Sequence, residues 1–373
     1  MQQDIFIKIL DEFFKLFNFK QIEHNPPFCT PKKTLLILPD YIGDCVLLTP
    51  FIRNLKMNLP TGSYIDIVCH KPIANLLKTL PYIRNFYPRK LLDKMKYEFL
   101  QKKNYDTVFI FNYSIKWAGA AKKNHTKQII SPDSTRLGFT KPPIAEKVLT
   151  HTVPSTNIKD KTPQLKVNLN YLEKLGVKVH DYNPEIILTA KDDKKALDLI
   201  KTDLPKAYVH ITAGSKGKEW AFNNWVEIVR YLKAQNFEIY VSGTLNEAKI
   251  YDNLQNKSGI ELNNLCGKTS IRESIALLKF MDLVVTTDSA PAHFAAASKT
   301  PLIAVIYGPT NQYQWRPFAP FSKVEQIYLN LPCRPCLSRE CANKKCLKDL
   351  SSDYVISRIS NLLSKKLSSV KIY

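Results

Sequence analysis

The stretch Asp282-Leu-Val-Val-Thr-Thr-Asp-Ser-Ala-Pro-Ala-His-Phe-Ala-Ala-Ala-Ser298, followed by Pro301-Leu-Ile-Ala-Val-Ile-Tyr307, decides how this chain is read. Leu283 to Thr287 is an apolar, β-branched run of strand length, and Ala290 to Ser298 is a run of small residues suited to a helix. Asp288 and Ser289 therefore stand at a strand-to-helix turn. At the end of a parallel strand such a turn presents backbone N–H groups and the positive end of a helix dipole, where an anionic ligand can bind. Asp and Ser are also good N-cap residues, a role that needs no ligand, so the turn alone leaves both readings open.

Working outward, the same alternation recurs. Helix Lys194–Leu204, strand Ala207–Thr212, helix Asn223–Gln235, strand Glu238–Ser242, helix Glu247–Leu254 and helix Ile271–Met281 lead up to the turn. In the first half, Thr34–Leu38 reads as a strand, Pro39-Asp-Tyr-Ile-Gly-Asp44 as a loop and Cys45–Leu55 as a helix. Strand Tyr64–Cys69, helix Ile73–Leu80, a helix near Leu91–Lys102, strand Asp106–Asn112 and helix Ile115–Lys123 follow. Parallel sheets flanked by helices are the economical reading. Between Ser131 and Pro184 the pattern fades into Pro- and Lys-bearing sequence with one helix near Leu165–Leu175, which places a junction near residues 176–184. We expect a Rossmann-like α/β/α domain over residues 1–180 and a second over 181–373. Two such domains in tandem imply a cleft, with ligands beyond the carboxyl ends of the strands, at the loops after Leu38, Thr212, Ser242 and Thr287.

Composition narrows the partners. The 373 residues are 45% hydrophobic and 11% aromatic, as in a globular protein, and carry 54 Lys and Arg against 33 Asp and Glu, a net charge of +21. That charge attracts phosphates, nucleic acid or an anionic membrane. No compact nucleic-acid-reading motif is visible and the lysines are scattered, so no nucleic-acid partner is expected. No apolar run approaches the roughly 20 residues that span a bilayer. Residues 1–30 form an N-terminal extension whose 4–19 portion reads as an amphipathic helix, with Ile5, Ile9, Phe13, Leu16 and Phe17 near one face. It either docks on its own domain or lies on a membrane surface. Asp4, Lys8, Asp11, Glu12 and Lys15 interrupt any signal-peptide core, so the chain is expected to stay inside the cell. Cys333, Cys336, Cys341 and Cys346 fall within fourteen residues, spaced C-x2-C-x4-C-x4-C. In a reducing compartment they read as a candidate tetrahedral zinc site more readily than as disulfides, the alternative being structural free thiols.

At the expected loops the chain resembles glycosyltransferase family 9, the ADP-heptose:lipopolysaccharide heptosyltransferases. The resemblance rests on Pro39-Asp-Tyr-Ile-Gly-Asp-Cys-Val-Leu-Leu-Thr-Pro50, Thr212-Ala-Gly-Ser-Lys-Gly-Lys-Glu-Trp220 with Trp225, and Ser242-Gly-Thr-Leu-Asn-Glu247. Leu265-Cys-Gly-Lys-Thr-Ser270, the Asp288–His293 turn and Tyr307-Gly-Pro-Thr310 complete the set in order. Ala290 stands where the family commonly has Gly, Ala221 where Pro often follows the Trp, and Tyr41 where many members carry a basic residue.

The resemblance implies a GT-B fold, its two Rossmann-like domains facing each other across a cleft, and an inverting, metal-independent transfer without a cofactor. It implies a heptose moved from an ADP-linked donor to the inner core of an anionic lipopolysaccharide or lipooligosaccharide precursor, peripherally at the cytoplasmic face of the inner membrane. Asp44 matches the family's general base and Lys218 the lysine on the donor diphosphate. Asp288, Ser289, Ala290 and His293 match the donor-binding turn, Gly214 and Ser215 contribute donor contacts, and Glu247 is placed like the acid that reads the nucleoside. Gly43 and Arg136 are expected on the acceptor side. Each has a plainer reading: a helix cap for Asp44, a solvated lysine for Lys218, a core histidine for His293 and a first-turn acid for Glu247. Rival readings are another nucleotide sugar or acceptor within the same family, or a basic nucleotide- or nucleic-acid-binding protein without catalysis. Tandem dinucleotide folds of an oxidoreductase are disfavoured, since no G-x-G-x-x-G follows a strand.

Overall fold

The computed structural model describes residues 25–111, 114–132, 148–153, 161–336, 341 and 343–369. The chain divides into two compact units, Met1–Tyr182 and Asn183–Tyr373. The expected helix over residues 4–19 lies outside the described residues, as does Arg136.

In the first unit, strands β1 (Lys33–Ile37), β2 (Tyr64–Cys69), β3 (Ile83–Pro88), β4 (Thr107–Ile110), β5 (Gln128–Pro132) and β6 (His151–Val153) form one sheet. Its order is β3-β2-β1-β4-β5-β6, and every pairing is parallel. β1 and β2 are apolar and buried over almost their whole length, as expected of strands covered on both faces. The connections carry helices α1 (Ile42–Val46), α2 (Thr49–Met57), α3 (Lys71–Leu77), α4 (Arg89–Leu92), α5 (Lys96–Lys103) and α6 (Ile115–Lys123), with α7 (Gln164–Lys174) beyond the sheet. Trp117, Tyr105, Leu100, Val108 and Ile129 pack with Leu35 and Ile37 in the core.

Several local expectations need correction. The helix expected over Cys45–Leu55 is two, α1 and α2, parted at Leu47-Leu48, with Pro50 in the first turn of the second, where its missing N–H costs nothing. The helix expected near Leu91–Lys102 is likewise two, α4 and α5. Strand β3 was not anticipated, because Arg84, Asn85 and Pro88 break its apolar character. Its polar residues have a partner inside the sheet: Asp66 on β2, fully buried, accepts from Arg84 at 2.6 and 3.0 Å, from Asn85 at 3.1 Å and from the Tyr105 hydroxyl at 2.8 Å. β5 and β6 are short and were not anticipated either.

The second unit repeats the plan. Strands β7 (Lys206–His210), β8 (Glu238–Val241), β9 (Asn263–Asn264), β10 (Leu283–Thr287), β11 (Leu302–Ile306) and β12 (Lys323–Ile327) pair in parallel in the order β12-β11-β10-β7-β8-β9. Helices α8 (Ala190–Asp198), α9 (Phe222–Ala234), α10 (Ala248–Ser258), α11 (Ile271–Leu278), α12 (Ala290–Ala297), α13 (Lys345–Lys348) and α14 (Ser352–Ser369) accompany it. In both units the order reverses beside the first strand of the unit, between β1 and β4 and between β7 and β10. Open α/β sheets bind ligands outside the carboxyl ends at such a switch point. α14 and β12 were not foreseen; α14 packs on α9, β11 and β12. Trp220 and Trp225 are buried edge-to-face with ring centroids 5.3 Å apart, and the Trp220 indole donates to the Leu350 carbonyl at 2.9 Å. The chain after β7 is thereby tied to the C-terminal segment.

Candidate active site

In the second unit the carboxyl ends of β7 and β10 lie side by side, and a line of polar groups runs along them. β10 ends at Thr287, whose hydroxyl donates to the Thr212 carbonyl at 2.8 Å, joining the loops after the two strands. Asp288, 5% exposed, directs its carboxylate at two groups: the Lys218 ammonium at 2.9 Å and the Thr310 hydroxyl at 2.5 Å. Lys218 also reaches the Asp288 carbonyl at 3.4 Å. The lysine comes from a short 3-10 turn, Lys216–Lys218, whose N-cap Ser215 accepts from Gly217 N–H at 3.4 Å. Its side chain is 28% exposed, so the ammonium is held by one carboxylate while still open to solvent. Lys218 is thus not a freely solvated lysine.

Ser289 is the N-cap residue of α12 by backbone conformation, yet its side chain does not cap the helix. Its hydroxyl lies 3.2 Å from the Thr287 hydroxyl and 3.3 Å from that of Thr286. The cap reading of this serine is therefore not what the structure shows. Ala290 opens the helix, and Pro291 in its first turn has no N–H to satisfy. His293 is 5% exposed, and its Nδ1 has no hydrogen-bond partner among the described residues. Burial pushes its pKa down to about 4 against the opposing pull of Asp288, so the ring is neutral near pH 7.

Glu247 closes the line at its other end. It sits in a 3-10 turn, Leu245–Glu247, in a capping box with Thr244: its Oε2 accepts from Thr244 N–H at 2.7 Å and from the Thr244 hydroxyl at 2.8 Å. Its Oε1 accepts from the Thr212 hydroxyl. A Cβ at Gly243 would lie 2.7 Å from Glu247 Oε2, so glycine there leaves room for the carboxylate. Burial alone raises the Glu247 pKa, but donors at Thr212 and Thr244 and the neighbouring His210 outweigh it and hold the carboxyl below its usual range. Gly214 is exposed in the loop between Thr212 and Ser215. The second unit therefore gathers Lys218, Asp288, Ser289 and His293, with Glu247 linked through Thr212. The sequence reading did not single out Thr310 or Thr212, whose roles depend on neighbouring strand ends.

In the first unit, Gly43 is buried and Asp44 half-buried in the first turn of α1, beyond the carboxyl end of β1. The N-cap of that helix is Tyr41, so Asp44 is not its cap. A cluster that sequence reasoning missed stands in the same region. Asp40 after β1, His70 after β2 and Arg89 after β3 converge, with His70 Nε2 3.0 Å from Asp40 Oδ1 and Arg89 Nη1 bonded to the same oxygen and, at 3.1 Å, to the Leu38 carbonyl. Each immediately follows its strand or lies in the loop after it, the signal that could have found them.

Cys333, Cys336, Cys341 and Cys346 are all free thiols. Among the described residues no three His, Cys, Asp or Glu side chains are placed to hold a metal ion. Burial raises the Cys346 pKa despite nearby Arg334.

A family model described as glycosyltransferase family 9 (heptosyltransferase) matches residues 98–347. The chain is 26% identical over 348 residues to lipooligosaccharide heptosyltransferase 2 of Campylobacter jejuni, covering 89% of this chain and 98% of that one. It is 26% identical over 347 residues to lipopolysaccharide heptosyltransferase 3 of Escherichia coli K12, covering 87% and 96%. Among solved structures, an E. coli ADP-heptose lipopolysaccharide heptosyltransferase II is similar in fold, with a TM-score of 0.69 at 17% identity over 90% of this chain and 99% of that one.

Proposed function

Because the chain belongs to glycosyltransferase family 9, we propose that it transfers a heptose from an ADP-linked donor to the inner core of a lipopolysaccharide or lipooligosaccharide, a reading supported by relatives named as lipooligosaccharide and lipopolysaccharide heptosyltransferases. The observation that carries this is the Lys218 ammonium, held 2.9 Å from Asp288 at the switch point of the second sheet yet open to solvent. In an inverting displacement the acceptor hydroxyl attacks the anomeric carbon, the bond to the diphosphate oxygen breaks, and the electron pair leaves with the nucleoside diphosphate. Lys218 is the fixed cation that meets this growing charge. The N-terminus of α12 adds its dipole, and neutral His293 offers an N–H without adding a competing charge. Asp288 acts by aiming Lys218 and not as a ligand of the phosphates. Glu247, held ionised by its donors, keeps one acceptor position on Oε1 for a ribose hydroxyl.

Asp44 is the proposed base for the acceptor proton, and Gly43 and Arg136 are the proposed acceptor contacts. The first unit, residues 1–180, is the proposed acceptor domain, and residues 181–373 the donor domain. The net charge of +21 supports an anionic acceptor and a peripheral place on the cytoplasmic face of the inner membrane. No helix among the described residues is long and apolar enough to cross a membrane.

The test is nucleotide binding with the full chain. ADP is expected to raise the melting temperature in a concentration-dependent way, and Lys218→Ala to need a higher ADP concentration for the same rise. An ADP response identical in wild type and Lys218→Ala would remove Lys218 from the donor site.

A further inference from the structure

Arg334 lies in the cysteine-bearing segment, yet its guanidinium is turned to the loop after β11. It donates to the Gly308 carbonyl at 2.5 Å, the Leu329 carbonyl at 2.7 Å, the Thr310 carbonyl at 3.1 Å and Gln312 Oε1 at 3.4 Å, and it stacks over the Tyr328 ring at 4.9 Å. Cys336 N–H adds a bond to the Pro309 carbonyl at 2.8 Å. A planar fork of five donors suits this work, since one side chain can hold several carbonyls of a loop that has no ladder of its own. The loop so held carries Thr310, whose hydroxyl bonds Asp288 Oδ2 at 2.5 Å, and that same oxygen bonds the Lys218 ammonium at 2.9 Å.

We infer that Arg334 is a positioning residue for Lys218, acting through Thr310 and Asp288. Its effect on turnover rests on the proposed meeting of Lys218 with the donor diphosphate; its effect on the place of Lys218 does not. The Asp288 carboxylate is shared between a hydroxyl on one loop and an ammonium on another. Loosening the loop after β11 lets the carboxylate rotate and releases the ammonium to solvent. Displacement of a catalytic group by about 1 Å from a distant change can cost up to about 10²-fold in rate. The cysteine-bearing segment thereby acquires a task that needs no metal: it carries the arginine that braces the loop.

The test labels the folded full chain with limiting acetic anhydride and reads each lysine by mass spectrometry. Arg334→Gln is expected to raise the labelling rate of Lys218 several-fold, with lysines far from the loop unchanged, and Arg334→Lys to fall between. Thr310→Val removes the hydroxyl link while leaving Arg334 in place, and it is expected to raise Lys218 labelling likewise. Unchanged Lys218 labelling in both Arg334→Gln and Thr310→Val overturns the relay, whatever either does to the melting temperature. Turnover is read separately, in a cycle with Lys218→Ala. The loss caused by Arg334→Gln should largely vanish in the Lys218→Ala background, whereas equal losses in both backgrounds mean that Arg334 only supports the fold. If Lys218→Ala itself turns over like wild type, the diphosphate reading fails, and labelling still decides the relay.

Discussion

Asp44 is the third residue of α1, Tyr41 is the N-cap, and an asparagine in place of Asp44 keeps the side chain's shape and an accepting oxygen. Asp44→Asn is therefore expected to keep the melting temperature and the affinity for ADP while lowering turnover by about 10² to 10⁴. Retention of more than about a third of wild-type turnover would mean that another group takes the proton. His293 gives a pH signature. Burial depresses its pKa to about 4, below the ordinary histidine value, so the unfolded chain binds a proton that the folded chain refuses. Its contribution to stability is intact above the unfolded value, near 6.5, and is lost as pH falls from there toward 4. The stability lost between pH 7 and pH 4.5 should be smaller in His293→Gln than in wild type by about 2 kcal/mol, measured by urea unfolding at both pH values. At this scale Asp288 and Ser289 were legible locally, because a β-branched run ending in Asp-Ser before small residues is a signal of its own, whereas Lys218 and His293 were named through the resemblance to the family. The sequence did not pair Lys218 with Asp288, seventy residues apart, because that contact follows from β7 and β10 being neighbours. Nor did it separate the backbone role of Ser289 as N-cap from the hydroxyl's turn toward Thr286 and Thr287.

Strands and helices were legible where their apolar period was clean. β1, β2 and β10 are buried, largely apolar runs of the kind a covered parallel strand requires. β3 was illegible because Arg84 and Asn85 interrupt its apolar run, and both donate to one buried acid on the neighbouring strand. This predicts that Arg84→Ala, which strands the fully buried Asp66 with only neutral donors, lowers unfolding stability by about 3 kcal/mol. That is the low end for a broken buried pair, since the Arg84 side chain is itself 42% exposed. Asp66→Asn should cost less, because it also removes the charge. Equal losses for the two, by chemical unfolding, would show that geometry and not charge holds β3 in place. The break between α1 and α2 was hidden for another reason. Val46, Leu47, Phe51, Ile52 and Leu55 keep a helical period across it, and only Pro50 marks the second helix's start.

At the scale of the whole chain, two sheets of the same strand order each turn a switch point toward a loop carrying an acid, Asp44 in one and Asp288 in the other. Both were readable, since a strand, a polar loop and a helix recur in each half. The return of the C-terminal segment was not, because Trp220 to Leu350 and Arg334 to Gly308 are contacts that no local pattern announces. The net charge of +21 predicts binding to vesicles containing anionic lipid that weakens steadily as salt is raised, measured by co-sedimentation. Binding indifferent to salt would exclude charge as its cause. The central claim is the transfer itself. It is tested most directly by incubating the full chain with ADP-heptose and a heptose-deficient lipooligosaccharide in the presence of a chelator, then following ADP release, acceptor mass and the anomeric configuration of the product by NMR. The account predicts ADP release matched by addition of one heptose, with the anomeric configuration opposite to that of the donor. Absence of transfer from ADP-heptose, or a product that retains the donor's configuration, would contradict it.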